Sequence, residues 1–232
     1  MRVSSYPYGP LGSNLYILSG FPFSDRTIII DPCVSPERVE KESFDIDLDF
    51  KKVEAVFITH GHFDHIAYAS SWKKALDEKV NGKAKFFMSP DDKLMLQDPS
   101  LNCSADFMSP MTFDIDTVDI SEADGKEFFG GSAKCRILKT PGHSAGQVCI
   151  MFYDLGEDVL NRRDFMFTGD MLFEGSIGRT DLKSGNPVDM SLSIGIMNSL
   201  EGDFTILPGH GPATSLANEK RTNPYLNSDL PL

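Results

Sequence analysis

The heptapeptide Thr59-His60-Gly61-His62-Phe63-Asp64-His65 constrains this chain more than any other feature. Three imidazoles and a carboxylate stand close together, directly after the apolar run Val53 to Ile58, which has the length and composition of a buried strand. A strand end is a rigid platform, and Gly61 is expected to let the backbone turn so that neighbouring side chains converge. Imidazole nitrogen combined with carboxylate oxygen is the donor set of zinc or iron rather than of calcium or magnesium. The bland alternative is a chance cluster of histidines on a surface loop, but so dense a set of donors has few other uses.

The chain holds five histidines, and the other two repeat the same arrangement. His143 lies in Thr140-Pro141-Gly142-His143-Ser144-Ala145-Gly146, just past the strand-like run Arg136 to Lys139. His210 lies in Leu207-Pro208-Gly209-His210-Gly211-Pro212, after the run Phe204 to Leu207. Asp170 follows Phe165 to Thr168 and is preceded by Gly169. If these strands share a sheet edge, His60, His62, Asp64, His65, His143, Asp170 and His210 meet at one place, and no histidine is left for the core.

The remaining pattern fits a layered α/β domain. Strands are expected at Leu15 to Leu18, Thr27 to Ile30, Lys85 to Met88 and Val148 to Tyr153. Helices are expected at about Ile66 to Glu78, Pro90 to Leu96 and Val188 to Leu200, and from Leu216 until Pro224 stops the last. Residues 97–114 show no period and read as a loop or cover. No repeat or Gly/Ser/Pro-rich linker appears, so residues 1–232 read as one domain. Acidic side chains outnumber basic ones 34 to 22, giving a net charge of -12, which argues against nucleic acid and anionic membranes as partners. No apolar stretch approaches the ~18 residues of a membrane span, and no signal peptide is visible. Cys33, Cys103, Cys135 and Cys149 form no CxxC pair, which suits a reduced, cytoplasmic protein.

HxHxDH followed by a distant His, Asp and His resembles the metal signature of the metallo-β-lactamase-fold superfamily, and the likeness extends over the chain, including the early Asp31. It implies an α/β fold of the four-layer αββα sandwich type, with a two-metal site along one edge. His60, His62 and His143 would hold the first metal, Asp64, His65 and His210 the second, and Asp170 would bridge them. Asp31 would orient the HxHxDH loop. Two zinc ions are expected, with iron or manganese as alternatives. Class B1 β-lactamases carry Cys where Asp170 stands and class B3 enzymes lack a bridging Asp there, which argues against β-lactamase activity.

The segment Gly169 to Asp181 and the ending Pro208-Gly209-His210-Gly211-Pro212-Ala213-Thr214 resemble the short bacterial-type glyoxalase II-like hydrolases. Arg179 matches a basic residue that contacts glutathione there; the other reading is an ion pair with Asp181. Glyoxalase II also carries a C-terminal helical domain that completes the glutathione site. This sequence ends soon after His210, so that domain is expected to be absent. The resemblance implies a dinuclear hydrolase in which Asp64 and Asp170 hold the catalytic metals and a shared hydroxide cleaves a small anionic thioester of the hydroxyacylglutathione type. With every histidine on metal, no imidazole remains to protonate a leaving group. A thiolate, of conjugate pKa about 8.5, leaves without that help, and an amide nitrogen does not. A mononuclear-iron persulfide dioxygenase and a lactonase are the alternatives within the same superfamily. Oligomeric state is not readable from the sequence.

Overall fold

Apolar side chains on both faces of a strand need a covering layer on each side, and this chain supplies two sheets and two helical layers to provide them. The computed structural model describes residues 2–9, 11–21, 24–42, 48–80, 84–154 and 164–227. Its first sheet contains Arg2–Tyr8 (β1), Ser13–Ser19 (β2), Thr27–Ile30 (β3), Val53–Phe57 (β4), Lys85–Met88 (β5) and Thr117–Asp119 (β6), in that spatial order. β1 to β3 are antiparallel, and β3 to β6 are parallel. The second sheet takes Glu127–Phe128 (β7), Ala133–Lys139 (β8), Val148–Asp154 (β9) and Phe165–Gly169 (β10). After a small hairpin of Leu172–Phe173 (β11) and Ser176–Ile177 (β12), Thr205–Pro208 (β13) and Thr214–Ser215 (β14) complete it, in the order β14-β13-β10-β9-β8-β7.

Period-two alternation decides which side chain enters which layer. Leu18, Ile28, Ile30 and Phe57 face Ile150, Phe152, Phe165 and Phe167 between the sheets. Their neighbours Leu15, Ile17, Ile29, Val56 and Ile58 point outward and pack with Val39, Ile66 and Trp72. Those three belong to Pro36–Glu42 (α1), Phe63–Ile66 (α2) and Ala69–Val80 (α3). Trp72 is fully buried and donates its indole N–H to the Val34 carbonyl at 2.8 Å. A further turn, Ser104–Phe107 (α4), follows. On the far side, Cys149, Met151, Met166 and Ile206 meet Met190, Ile194 and Met197 of Pro187–Ser199 (α5), Leu216 of Leu216–Thr222 (α6) and Leu226 of Pro224–Asn227 (α7). The result is the four-layer α/β/β/α sandwich.

α5 shows how local sequence sets an element. The Asn186 side chain accepts from the Val188 and Asp189 amides, and Pro187 occupies the first helical position, where its missing N–H costs nothing. The helix expected from Leu216 ends before Pro224, as α6 stops at Thr222, and Pro224 then takes the first position of the short α7. The helix expected over 66–78 is divided into α2 and α3, and residues 90–96 form a 3-10 helix capped by Ser89. Residues 97–114 are a cover segment whose Cys103 and Phe113 enter the core. Buried Asn102 pins it, donating to the Met95 and Met111 carbonyls at 2.8 and 3.1 Å. β1 and α1 had no clear signal. β1 is an edge strand, where Pro7 is tolerated and one polar face is allowed. α1 buries Pro36 and Val39 and exposes Glu37, Arg38, Glu40 and Lys41, which is too little apolar periodicity to read in advance.

Candidate metal centre

The loop carrying His60, His62, Asp64 and His65 leaves β4 of the first sheet, whereas His143, Asp170 and His210 follow β8, β10 and β13 of the second. One sheet edge therefore does not gather the donors. The corresponding rims of two facing sheets do, because β8, β10 and β13 run in the same direction.

Each half is braced locally. Asp31 sits in the left-handed region at φ 50, which aspartate tolerates better than most residues. Its Oδ1 accepts the Thr59 amide at 2.8 Å, and its Oδ2 accepts the Thr59 hydroxyl at 2.7 Å. The same Oδ2 lies 3.0 Å from His65 Nδ1, and the Thr59 hydroxyl lies 3.1 Å from His60 Nδ1. Both rings thereby present Nε2 to the centre. Gly61 is needed for a different reason than the one read from the sequence. Its φ is not positive, and a Cβ there would stand 2.8 Å from Met95 Cβ, so the constraint is close packing rather than a turn. In the second half, His143 Nδ1 lies 2.8 Å from the Arg179 carbonyl, and His210 Nδ1 lies 2.9 Å from the Leu11 carbonyl. Such outer partners fix the tautomer and aim of a ligating imidazole.

Three overlapping groups have donor atoms within 4.8 Å of one another: His60, His62 and His143; His60, His65 and Asp170; and Asp64, His65 and His210. Asp170 spans them. Its Oδ1 lies 3.2 Å from His65 Nε2, and its Oδ2 lies 3.3 Å from His143 Nε2 and 3.4 Å from His210 Nε2. His62 Nδ1 and His143 Nε2 approach to 2.8 Å, and Asp64 Oδ2 lies 3.3 Å from His210 Nε2. The Ser13 hydroxyl donates to that Asp64 oxygen at 2.7 Å. His60 Nε2, the nitrogen aimed at the centre, is buried without a hydrogen-bond partner. Stranding polar atoms in this way is costly, and a cation among converging nitrogens and carboxylate oxygens relieves that cost. The donor set fits zinc or iron.

The electrostatics divide the cluster. Burial, reinforced by His65, drives His60 well below the usual imidazole range. Burial together with His143 takes His62 down to about 3. For His65 and His210, burial is again the largest single influence and opposes the charge, but Asp170 and Asp64 outweigh it. His65 rises well above its ordinary value, and His210 rises to about 9. Burial likewise opposes ionisation of the two carboxylates, yet His65 and His210 hold Asp170 well below the carboxylate range and Asp64 at about 2. Without metal, His60 and His62 are neutral, whereas His65 and His210 carry protons that a cation would replace.

Asp92 was not visible as a site residue. It is buried, and its Oδ2 accepts the Gly61 amide at 2.9 Å and the Ser144 hydroxyl at 2.6 Å, while its Oδ1 accepts the Gly146 amide at 2.7 Å. One carboxylate thus ties the His60–His62 loop to the His143 loop. In the sequence it is one acidic residue in Ser89-Pro90-Asp91-Asp92, which reads only as a helix start. Arg179 has the ion-pair geometry. Its Nε and one terminal nitrogen donate to the two Asp181 carboxylate oxygens at 2.6 and 2.7 Å, on the exposed surface. It also lines a cavity of about 320 Å³ bounded by His62, Asp64, His143, Asp170 and His210.

The profile of the Metallo-beta-lactamase superfamily matches residues 8–222. The chain belongs to this superfamily. Among its relatives, the hydroxyacylglutathione hydrolase GloC of Haemophilus influenzae is 32% identical over 206 residues, covering 86% of this chain and 87% of that protein. Among solved structures, the BLEG-1 B3 metallo-beta-lactamase has a TM-score of 0.78 at 28% identity, covering 98% of this chain and 100% of the other. The di-iron-bound form of TTHA1623 has a TM-score of 0.71 at 28% identity, covering 96% and 100%. Superfamily membership and the gathered donors support a metal-dependent hydrolase. All four cysteines are buried free thiols, and among the described residues no helix is long and apolar enough to cross a membrane.

Proposed function

We propose that the protein is a dinuclear metal-dependent thioester hydrolase acting on a small anionic thioester, of the kind named for the GloC relative. The observation that carries this reading is the Asp170 carboxylate, which reaches His65 with one oxygen and His143 and His210 with the other. A carboxylate so placed suits a bridge between a metal held by His60, His62 and His143 and one held by Asp64, His65 and His210. Zinc suits these donors, and the di-iron neighbour favours iron as the alternative. Metals bound there would polarise a carbonyl and make water nucleophilic near neutral pH.

The chain's own residues do the positioning. Asp31 and Thr59 hold His60 and His65 in aim, and the Arg179 carbonyl holds His143. All five histidines lie within the cluster, so none is free to protonate a leaving group. That favours a thiolate, which departs unprotonated, over an amide nitrogen. Arg179, on the cavity wall, is placed to meet a substrate carboxylate with the N–H groups that Asp181 leaves open. We place the protein in the cytoplasm, in keeping with its free thiols.

The test is metal analysis of protein purified without added metal, followed by an assay panel. It comprises S-lactoylglutathione and simple acyl thioesters, a lactone, a β-lactam, and glutathione persulfide with oxygen consumption recorded. Two metals per chain and preference for thioesters are expected. A single iron with oxygen uptake would replace this reading by a persulfide dioxygenase, and turnover of only the lactone or the β-lactam would move the substrate class.

A further inference from the structure

Beside the metal cavity lies a second pocket, also of about 320 Å³, walled by Tyr8, Leu11, Cys33, Phe63, Tyr68 and Met111. Leu11, Phe63 and Asp64 line both cavities, so the two meet at one of the candidate ligands. The walls differ in charge. The metal cavity includes Arg179, whereas the described residues lining the second pocket include no Lys, Arg or His, and Asp64 at the junction is its only formally charged member. Tyr8 and Tyr68 pack edge to face at 5.9 Å with their hydroxyls 3.4 Å apart, and the Arg38 guanidinium covers the Tyr8 ring at 4.6 Å. The entrance is apolar as well. Leu11, Phe107 and Met108 are 45%, 54% and 46% exposed, and each lines one or both cavities. Large exposed apolar side chains gathered at one place mark a binding site more often than bare surface.

We infer that this pocket is an acyl subsite and that the substrate is the thioester of an apolar acid of roughly four to eight carbons. The inference rests on the thioester reading above. A carbonyl held against the cluster has two substituents, and the two cavities on either side of Asp64 receive one each. Thiol carriers in water are charged molecules, so the thiol half belongs with Arg179 and the neutral chain with the pocket. In the reaction, water oxygen bonds to the acyl carbon and the C–S bond breaks with its electron pair on sulfur. The products are the apolar carboxylate, the thiol and one proton released to solvent. The pocket volume sets the chain length: an apolar cavity of about 150 Å³ takes a benzene, and this one has about twice that room.

Two measurements on the metal-loaded protein test this. In the first, acetate, butyrate, hexanoate and octanoate are titrated calorimetrically. Affinity should rise about threefold to fourfold per added methylene until the pocket is full. In the second, kcat/KM is recorded for acyl thioesters of one thiol over the same lengths. Ala67→Phe, which fills the pocket, and Met108→Glu, which charges its open rim without touching the core, should each flatten both series. Flat series in the wild type, or slopes unchanged in both variants, overturn the subsite. Rising carboxylate affinity with no turnover of any thioester keeps an apolar-acid pocket and sinks the thioesterase reading instead. Turnover of thioesters with no dependence on chain length does the reverse.

Discussion

Four donors of the cluster come from one unbroken segment after β4, whereas His143, Asp170 and His210 come singly from three loops of the other sheet. The braces differ in the same way. The first half hangs on a side chain, the Asp31 carboxylate, which holds Thr59 and His65 together. The second leans on main chain, the carbonyls of Arg179 and Leu11. Continuity of the backbone fixes distances within the first half. Nothing covalent fixes the distance from one half to the other, and that distance decides whether two metals can share a ligand. Asp92, with one carboxylate on both loops, and Asp170, with one carboxylate among both donor sets, are the residues that set it.

The largest effect is expected from Asp170→Ala, because it removes the group that reaches both halves. At least one metal equivalent should be lost, and kcat/KM should fall by more than the ~100-fold that an outer partner typically costs. Metal analysis beside steady-state kinetics reads this, and full loading with unchanged turnover would dismiss Asp170 as a shared ligand. Next come the two braces. Asp31→Asn should weaken metal binding around His65, and Asp92→Asn around His62 and His143, each by about 10-fold to 100-fold. A two-step cobalt titration followed by absorbance shows which step moves. If Asp92→Asn weakens both steps equally, the two metal positions are not separately braced.

A smaller, graded effect is expected from pH. His210 is raised to about 9 by Asp170 and Asp64 against the opposing effect of burial, so at neutral pH it is protonated until a metal displaces that proton. The His210 proton alone then makes apparent affinity rise about tenfold per pH unit until about pH 9, and the proton on His65 steepens that slope. The half built on His60 and His62, whose rings are neutral at these pH values, should show no such slope from those two rings. Metal titrations at pH 6.5, 7.5 and 9 separate the two behaviours, and a pH-independent affinity would remove His210 from the ligands. The smallest effect belongs to Arg179→Ala, which should raise KM about threefold to fivefold for an anionic thioester and less for a neutral one. Equal changes for both substrates would leave Arg179 with only its Asp181 partner.

What could be read in advance follows the same division. His60, His62, Asp64 and His65 are legible as a cluster because their neighbourhood in space is their neighbourhood in sequence. His143, Asp170 and His210 are legible only through a repeated context, a glycine beside a donor at the end of an apolar run. The core strands were readable because both faces are buried, which makes the runs Ile28 to Ile30 and Phe165 to Phe167 continuously apolar. The edge strand β1 was not, since half of it meets water and its composition is that of a loop. Asp92 was not legible either. Its role depends on three donors from residues 61, 144 and 146, and no local pattern distinguishes a carboxylate that will be buried from its exposed neighbour Asp91. Gly61 was noticed for the wrong property, because a close approach to Met95 leaves no trace in sequence.

The contact between His143 and the Arg179 carbonyl separates two duties within one residue. The part of Arg179 that steadies the imidazole is common to all amino acids, and the part that faces the cavity is not. Position 179 can therefore be exchanged for almost any other side chain while the imidazole stays aimed. A lineage could explore new substrates there one mutation at a time, without first losing the metals that make any of them worth having.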